Sequence, residues 1–139
     1  MPHLVIQHTP NIDTDVGALA RKLNLALLSV RDAEDKQVYP EGGARVMAFA
    51  ASAYSVGDGV GDYRFMFLNL RIVEGRSPEV IKQTGDKLMA AIKEHVEPIF
   101  TKFPMGVTLN IDATPKQLPG PTVLVYEGFH NSLRAVFGR

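Results

Sequence analysis

The chain has no cysteine. That absence excludes a disulfide framework, a thiolate zinc site, a cysteine nucleophile and a C-x-x-C redox pair. It also lacks an excess of either charge: 15 Lys and Arg balance 15 Asp and Glu, for a formal net charge of zero. A general nucleic-acid binder needs a basic face to displace counterions, so that class is set aside. No apolar run reaches the roughly 18 residues a membrane span requires. The opening Met1-Pro2-His3-Leu4-Val5-Ile6 has neither a basic n-region nor a long apolar h-region, and does not read as a signal peptide. The expected compartment is the cytoplasm. What is present is ordinary for a globular protein: 139 residues, 45% hydrophobic. That is one domain's worth of chain, long enough to bury a core without covalent staples.

The hydrophobic pattern gives two similar halves. His3 to His8, with Leu4-Val5-Ile6, reads as a strand ended by Pro10 and Asn11. Asp13 or Thr14 can cap a helix running to about Val30. Its stripe is Val16, Leu19, Ala20, Leu23, Ala26, Leu27 and Val30. Arg31 to Gly43 is charged and closes on Tyr39-Pro40-Glu41-Gly42-Gly43, a loop. Arg45 to Tyr54 reads as a second strand, and Gly57, Gly59 and Gly61 mark a turn.

The second half begins with the clearest strand, Tyr63 to Val73. Its even positions Met66, Leu68, Leu70 and Ile72 form one apolar row, while Tyr63, Phe65, Phe67, Asn69 and Arg71 are mixed. Ser77-Pro78-Glu79 is a helix start: an N-cap serine, proline at the first helical position, an acid at the positive end of the dipole. Helical spacing continues to about Phe103, with Pro98 expected to kink or end the regular part. Val107 to Ile111 alternates as a strand. Pro115 to Pro121 reads as a surface crossing, Val123 to Tyr126 as a short edge strand, and the tail ends in Phe137.

The expected fold is therefore α+β, one domain over 1–139. A first β-α-β unit covers 1–56, a second 62–113, and a tail 114–139. Together the units give a four-stranded sheet with two helices on one face. Helices of this size cover only one side. The Phe65, Phe67, Asn69 and Arg71 side must be solvated or covered by another subunit, and a row of aromatics favours the subunit.

Three residues stand out chemically. Pro2 becomes a secondary amine if Met1 is removed, and an amine can act as a base where an amide cannot. Apolar surroundings and nearby cations both lower the pKa of such an amine. Arg76, in Glu74-Gly75-Arg76-Ser77, lies between the best strand and the best helix. That junction is where α/β folds place ligands, and a guanidinium there can clamp a carboxylate. Arg45 opens a strand after the loop and is a weaker candidate of the same kind. The histidines lack ligand spacing: His3 and His8 fall on opposite strand faces, and His95 and His130 are isolated. No metal site is expected. Gly57-Asp58-Gly59-Val60-Gly61 precedes a strand rather than a helix, so it is not a dinucleotide fingerprint, and no D-x-D-x-D loop suggests Ca²⁺.

Taken together, Met1-Pro2-His3 running into a strand, Tyr39-Pro40 with Gly43, Arg45 and Val46, and Asp62-Tyr63-Arg64-Phe65 through Gly75-Arg76-Ser77 resemble the 5-carboxymethyl-2-hydroxymuconate isomerases of the tautomerase superfamily. The resemblance covers roughly residues 1–112. It implies a homotrimer with sites assembled between subunits, Pro2 as general base, and arginines holding carboxylates of a 2-hydroxy-dienoate. It implies no metal or organic cofactor. Arg76 matches the family's Gly-Arg-Ser position. Gly43-Ala44-Arg45-Val46 is two residues shorter than the family's Gly-x-Arg-x-Arg-Val segment, and Arg45 aligns with the second arginine of that segment. Phe49 and Tyr54 stand where the family carries large aromatics. Two alternatives accompany this reading: a related tautomerase with another substrate, and a non-catalytic trimeric binding protein.

Overall fold

A computed structural model describes residues 1–115 and Phe137. The elements follow the order β1 (His3–His8), α1 (Val16–Leu28), β2 (Arg45–Ala50), β3 (Arg64–Val73), α2 (Pro78–Phe100) and β4 (Met105–Thr114). The sheet order is β2-β1-β3-β4. β1 and β2 run parallel, β3 and β4 run parallel, and the two pairs join through antiparallel β1 and β3. Each β-α-β unit thus keeps its two strands side by side, and the units meet at the centre.

Period-two alternation assigns each strand residue to a face. Leu4 and Ile6 of β1, with Met66, Leu68, Leu70 and Ile72 of β3, are buried under the helices. From the helix layer, Leu19, Leu23 and Leu27 of α1 and Val80, Leu88, Ile92, Val96 and Ile99 of α2 complete one core. Among the described residues no helix is long and apolar enough to cross a membrane.

Several boundaries differ from the sequence expectation. The α1 cap is Asp15, not Asp13 or Thr14: its Oδ1 accepts from the Ala18 N–H at 2.9 Å. The Thr14 hydroxyl is instead 3.0 Å from Nε2 of His95 on α2. β2 stops at Ala50 rather than Tyr54, because its partner β1 stops at His8; the last link is Ala51 N–H to the His8 carbonyl at 2.8 Å. β4 is longer than the expected Val107–Ile111, because ten residues of β3 pair with it along its whole length. Helix α2 passes through Pro98 and ends at Phe100, short of Phe103. The proline forfeits one hydrogen bond near the end of the helix, while Val96 and Ile99 around it bury into the core. The Ser77 cap and the Pro78 start stand as expected, with Ser77 Oγ accepting from the Val80 N–H at 3.2 Å. The crossing beyond Pro115 and the Val123–Tyr126 strand lie outside the described residues.

Candidate active site

Antiparallel pairing of the central strands decides where the candidate residues go. His3 pairs with Arg71 across β1 and β3, so the start of β1 lies beside the end of β3. The parallel register sets His3 beside Arg45, the first residue of β2. Pro2, Arg45 and Arg76 therefore converge on one end of the sheet.

Pro2 is buried, and its carbonyl accepts the Arg45 N–H at 3.1 Å, which extends the β1–β2 ladder by one link. By alternation its ring lies on the side of Leu4 and Ile6, toward the helices. Met1 reaches over Gly43: a Cβ added there would stand 3.1 Å from Met1 Cγ. While Met1 is attached, the Pro2 nitrogen is an amide without a basic lone pair.

Arg45 faces the open side with His3. Its Nη2 donates to the Gly42 carbonyl at 3.2 Å, and its Nη1 is 3.3 Å from His3 Nε2. A guanidinium has only donors, so His3 Nε2 must be the acceptor, which makes His3 neutral with its proton on Nδ1. Electrostatics agree: burial first, then Arg45, the amino terminus and Arg71, hold the His3 pKa below its usual value. In the sequence, spacing marks His3 only as a poor metal ligand. Its role as the neutral partner between two arginines depends on strand register.

Arg76 follows Gly75, whose φ of +110° lies in the region where a side chain is strained. Glycine there lets the chain turn sharply from β3 and present Arg76 just before the Ser77 cap. The Arg76 guanidinium lies over the ring of Tyr39, 5.6 Å from its centroid. Its Nε is buried and has no hydrogen-bond partner among the described residues. An unpartnered buried donor at a strand-to-helix junction is a ready anion hook. Arg45 and Arg76 thus approach the same sheet end from opposite sides, one on the open face and one against the helix layer. Tyr39 is fully buried although it lies in a stretch whose sequence reads as a charged loop. Among the described residues no group of three or more His, Asp or Glu side chains could hold a metal ion.

Two parallel β-α-β pairs joined back to back, with helices on one face and a proline at the start of the first strand, define a tautomerase-like protein. The model of the family described as 5-carboxymethyl-2-hydroxymuconate isomerase matches residues 2–120, and the chain belongs to that family. Its relatives include the Escherichia coli 5-carboxymethyl-2-hydroxymuconate Delta-isomerase, 26% identical over 114 residues, or 81% of this chain and 86% of that one. A crystal structure of a 5-carboxymethyl-2-hydroxymuconate delta-isomerase is 37% identical, with a TM-score of 0.86 over 99% of this chain and 93% of that chain. A 5-carboxymethyl-2-hydroxymuconate isomerase from Deinococcus radiodurans R1 is 29% identical, with a TM-score of 0.79 over 98% and 93%. The chain is therefore a tautomerase-type isomerase.

Proposed function

We propose that this isomerase moves a proton within an unsaturated 2-hydroxy di- or tricarboxylate resembling 5-carboxymethyl-2-hydroxymuconate, in the cytoplasm, with Pro2 as general base once Met1 is removed. The observation that carries this reading is the Arg76 Nε, buried and without a hydrogen-bond partner among the described residues, at the sheet end where Pro2 precedes β1.

The chemistry follows from these positions. Pro2 takes the proton of the substrate's 2-hydroxyl: the O–H bond breaks, an N–H bond forms, and the electron pair is shared over a dienolate. The same N–H then delivers the proton to a carbon of that dienolate, leaving a 2-oxo product and the neutral amine. The enolate is costly unless positive groups stand near it, and Arg76 supplies one against a carboxylate. Those cations, with burial, also favour the neutral amine, so one arrangement both activates the base and stabilises the intermediate. The transfer asks for one base and fixed cations, and no step calls on a metal or an organic cofactor.

The assembly we infer is a homotrimer with sites completed at the contact between subunits, and the open sheet face supports association with another subunit. Met47 and Phe49 are more than half exposed there, and Phe65 and Phe67 stand on the same side. A second subunit removes that surface from water.

The test compares Met-retained with Met-cleaved protein, sorted by intact mass, on 2-hydroxymuconate followed by loss of the dienol absorbance. The cleaved form is expected to turn over and the retained form to be inert. Equal rates would show that Pro2 is not the base.

A further inference from the structure

We propose that Tyr39 is a positioning residue that holds the Arg76 guanidinium for the substrate's carboxylate; the inference rests on reading Arg76 as the anion anchor. Tyr39 has no exposed surface. Its hydroxyl is 3.0 Å from Thr84 Oγ1, and Thr84 Oγ1 donates to the Val80 carbonyl at 2.8 Å. Thr84 has one proton and has spent it, so the tyrosine must be the donor. The chain of bonds runs one way, from Tyr39 through Thr84 to Val80. Val80 lies in the first turn of α2, the turn that Ser77 caps. Arg76 immediately precedes that cap. Tyr39 is thus tied by its hydroxyl to the same turn whose entry presents Arg76.

The other end of Tyr39 is fixed as well. Its carbonyl accepts from Gln37 Nε2 at 2.7 Å, and the next residue, Pro40, accepts from the Gly43 and Ala44 N–H groups at 3.0 and 3.1 Å. The ring has little freedom to tilt. Arg76 lies 5.6 Å from its centroid, inside the range where a cation feels the negative face of the ring. A cation–π contact uses none of the guanidinium's N–H groups, so they stay available to fork to a carboxylate. A phenylalanine would fill the same space without burying a hydroxyl. The tyrosine adds a bond that anchors the far end of the ring.

The test is a mutant cycle on a dicarboxylate (2-hydroxymuconate) and on 2-hydroxy-2,4-pentadienoate, its monocarboxylate analogue. Tyr39→Leu is expected to raise KM for the dicarboxylate about threefold to tenfold, with a far smaller change in the monocarboxylate KM. In an Arg76→Ala background the same substitution should add nothing, because the residue it positions is gone. If Tyr39→Leu does not fold, phenylalanine and its fluorinated derivatives at position 39 keep the ring's shape while weakening its negative face. KM should then climb with each fluorine. A KM indifferent to fluorination overturns the proposal. So does a Tyr39→Leu loss that is equal for both substrates, or as large without Arg76 as with it. Failure of the underlying reading is separable: Arg76→Ala alone would then leave the dicarboxylate-to-monocarboxylate ratio unchanged.

Discussion

The two faces of the sheet are built from alternate residues of the same strands, yet they differ in kind. The helix-covered face is uniform: Leu4, Ile6, Met66, Leu68, Leu70 and Ile72 are aliphatic or thioether side chains with almost no exposure. The open face is graded along its length. The row at the Pro2 end reads Arg45, His3, Arg71 and Asp112 across the four strands. The next row is Met47, Val5, Asn69 and Asn110, and the one after it holds Phe49, Gln7, Phe67 and Thr108. The strand residues of one face carry cohesion, with Pro2 and Arg76 at its end. The other face is apolar at one end and charged at the other. Within the strands, parity separates core from open surface by one residue, so neighbours such as Phe67 and Leu68 should fail in different ways.

The sharpest test of that division uses those two residues. Leu68→Ala should cost about 2–5 kcal/mol of folding stability, read by denaturant titration, because it leaves a cavity under the helices. Phe67→Asp should leave the chain folded by circular dichroism but shift sedimentation from an oligomer to a monomer. A Phe67→Asp protein that is unfolded, or still fully oligomeric, breaks the comparison. Next in size is Arg76→Ala, expected to cost about 1.5–3 kcal/mol in kcat/KM on a dicarboxylate, with far less on a monocarboxylate. Equal losses would mean that the charged end of the sheet is not organised around a second carboxylate.

The smallest effect concerns His3, on the open face between two arginines. Its pKa is lowered in the folded protein by burial, Arg45, the amino terminus and Arg71. The unfolded chain therefore binds the proton more readily than the folded one. Stability is fully present above the ordinary histidine pKa of about 6.5 and falls as pH drops from there toward the folded value. His3→Gln should flatten that part of a stability-against-pH curve. An unchanged slope in the variant would assign the acid sensitivity to another group.

Much of this was legible in the residues. Alternation in Tyr63–Val73 named the buried row, and Ser77-Pro78-Glu79 named a helix start to the residue, because both signals are local: side chains one or two bonds from the backbone they direct. The errors fell where a distant partner intervened. Asp15 took the cap while Thr14 turned toward His95, 81 residues away. β2 ended where β1 ended, and β4 extended as far as β3 could pair with it.

By itself the sequence determined the two β-α-β units, the apolar row of each strand, the helix start at Ser77 and the candidacy of Pro2 and Arg76. Only the tertiary structure decided that β1 and β3 lie antiparallel at the centre. That pairing brings residues more than 70 positions apart to one end of the sheet. It also set His3 between two arginines and turned Tyr39, in a stretch that reads as loop, into a buried support beneath Arg76. The reason is physical. Periodicity encodes which side of a strand is apolar, but a strand can pair with any other of suitable length. Register and order are settled only when the helices close over one common face and bury it.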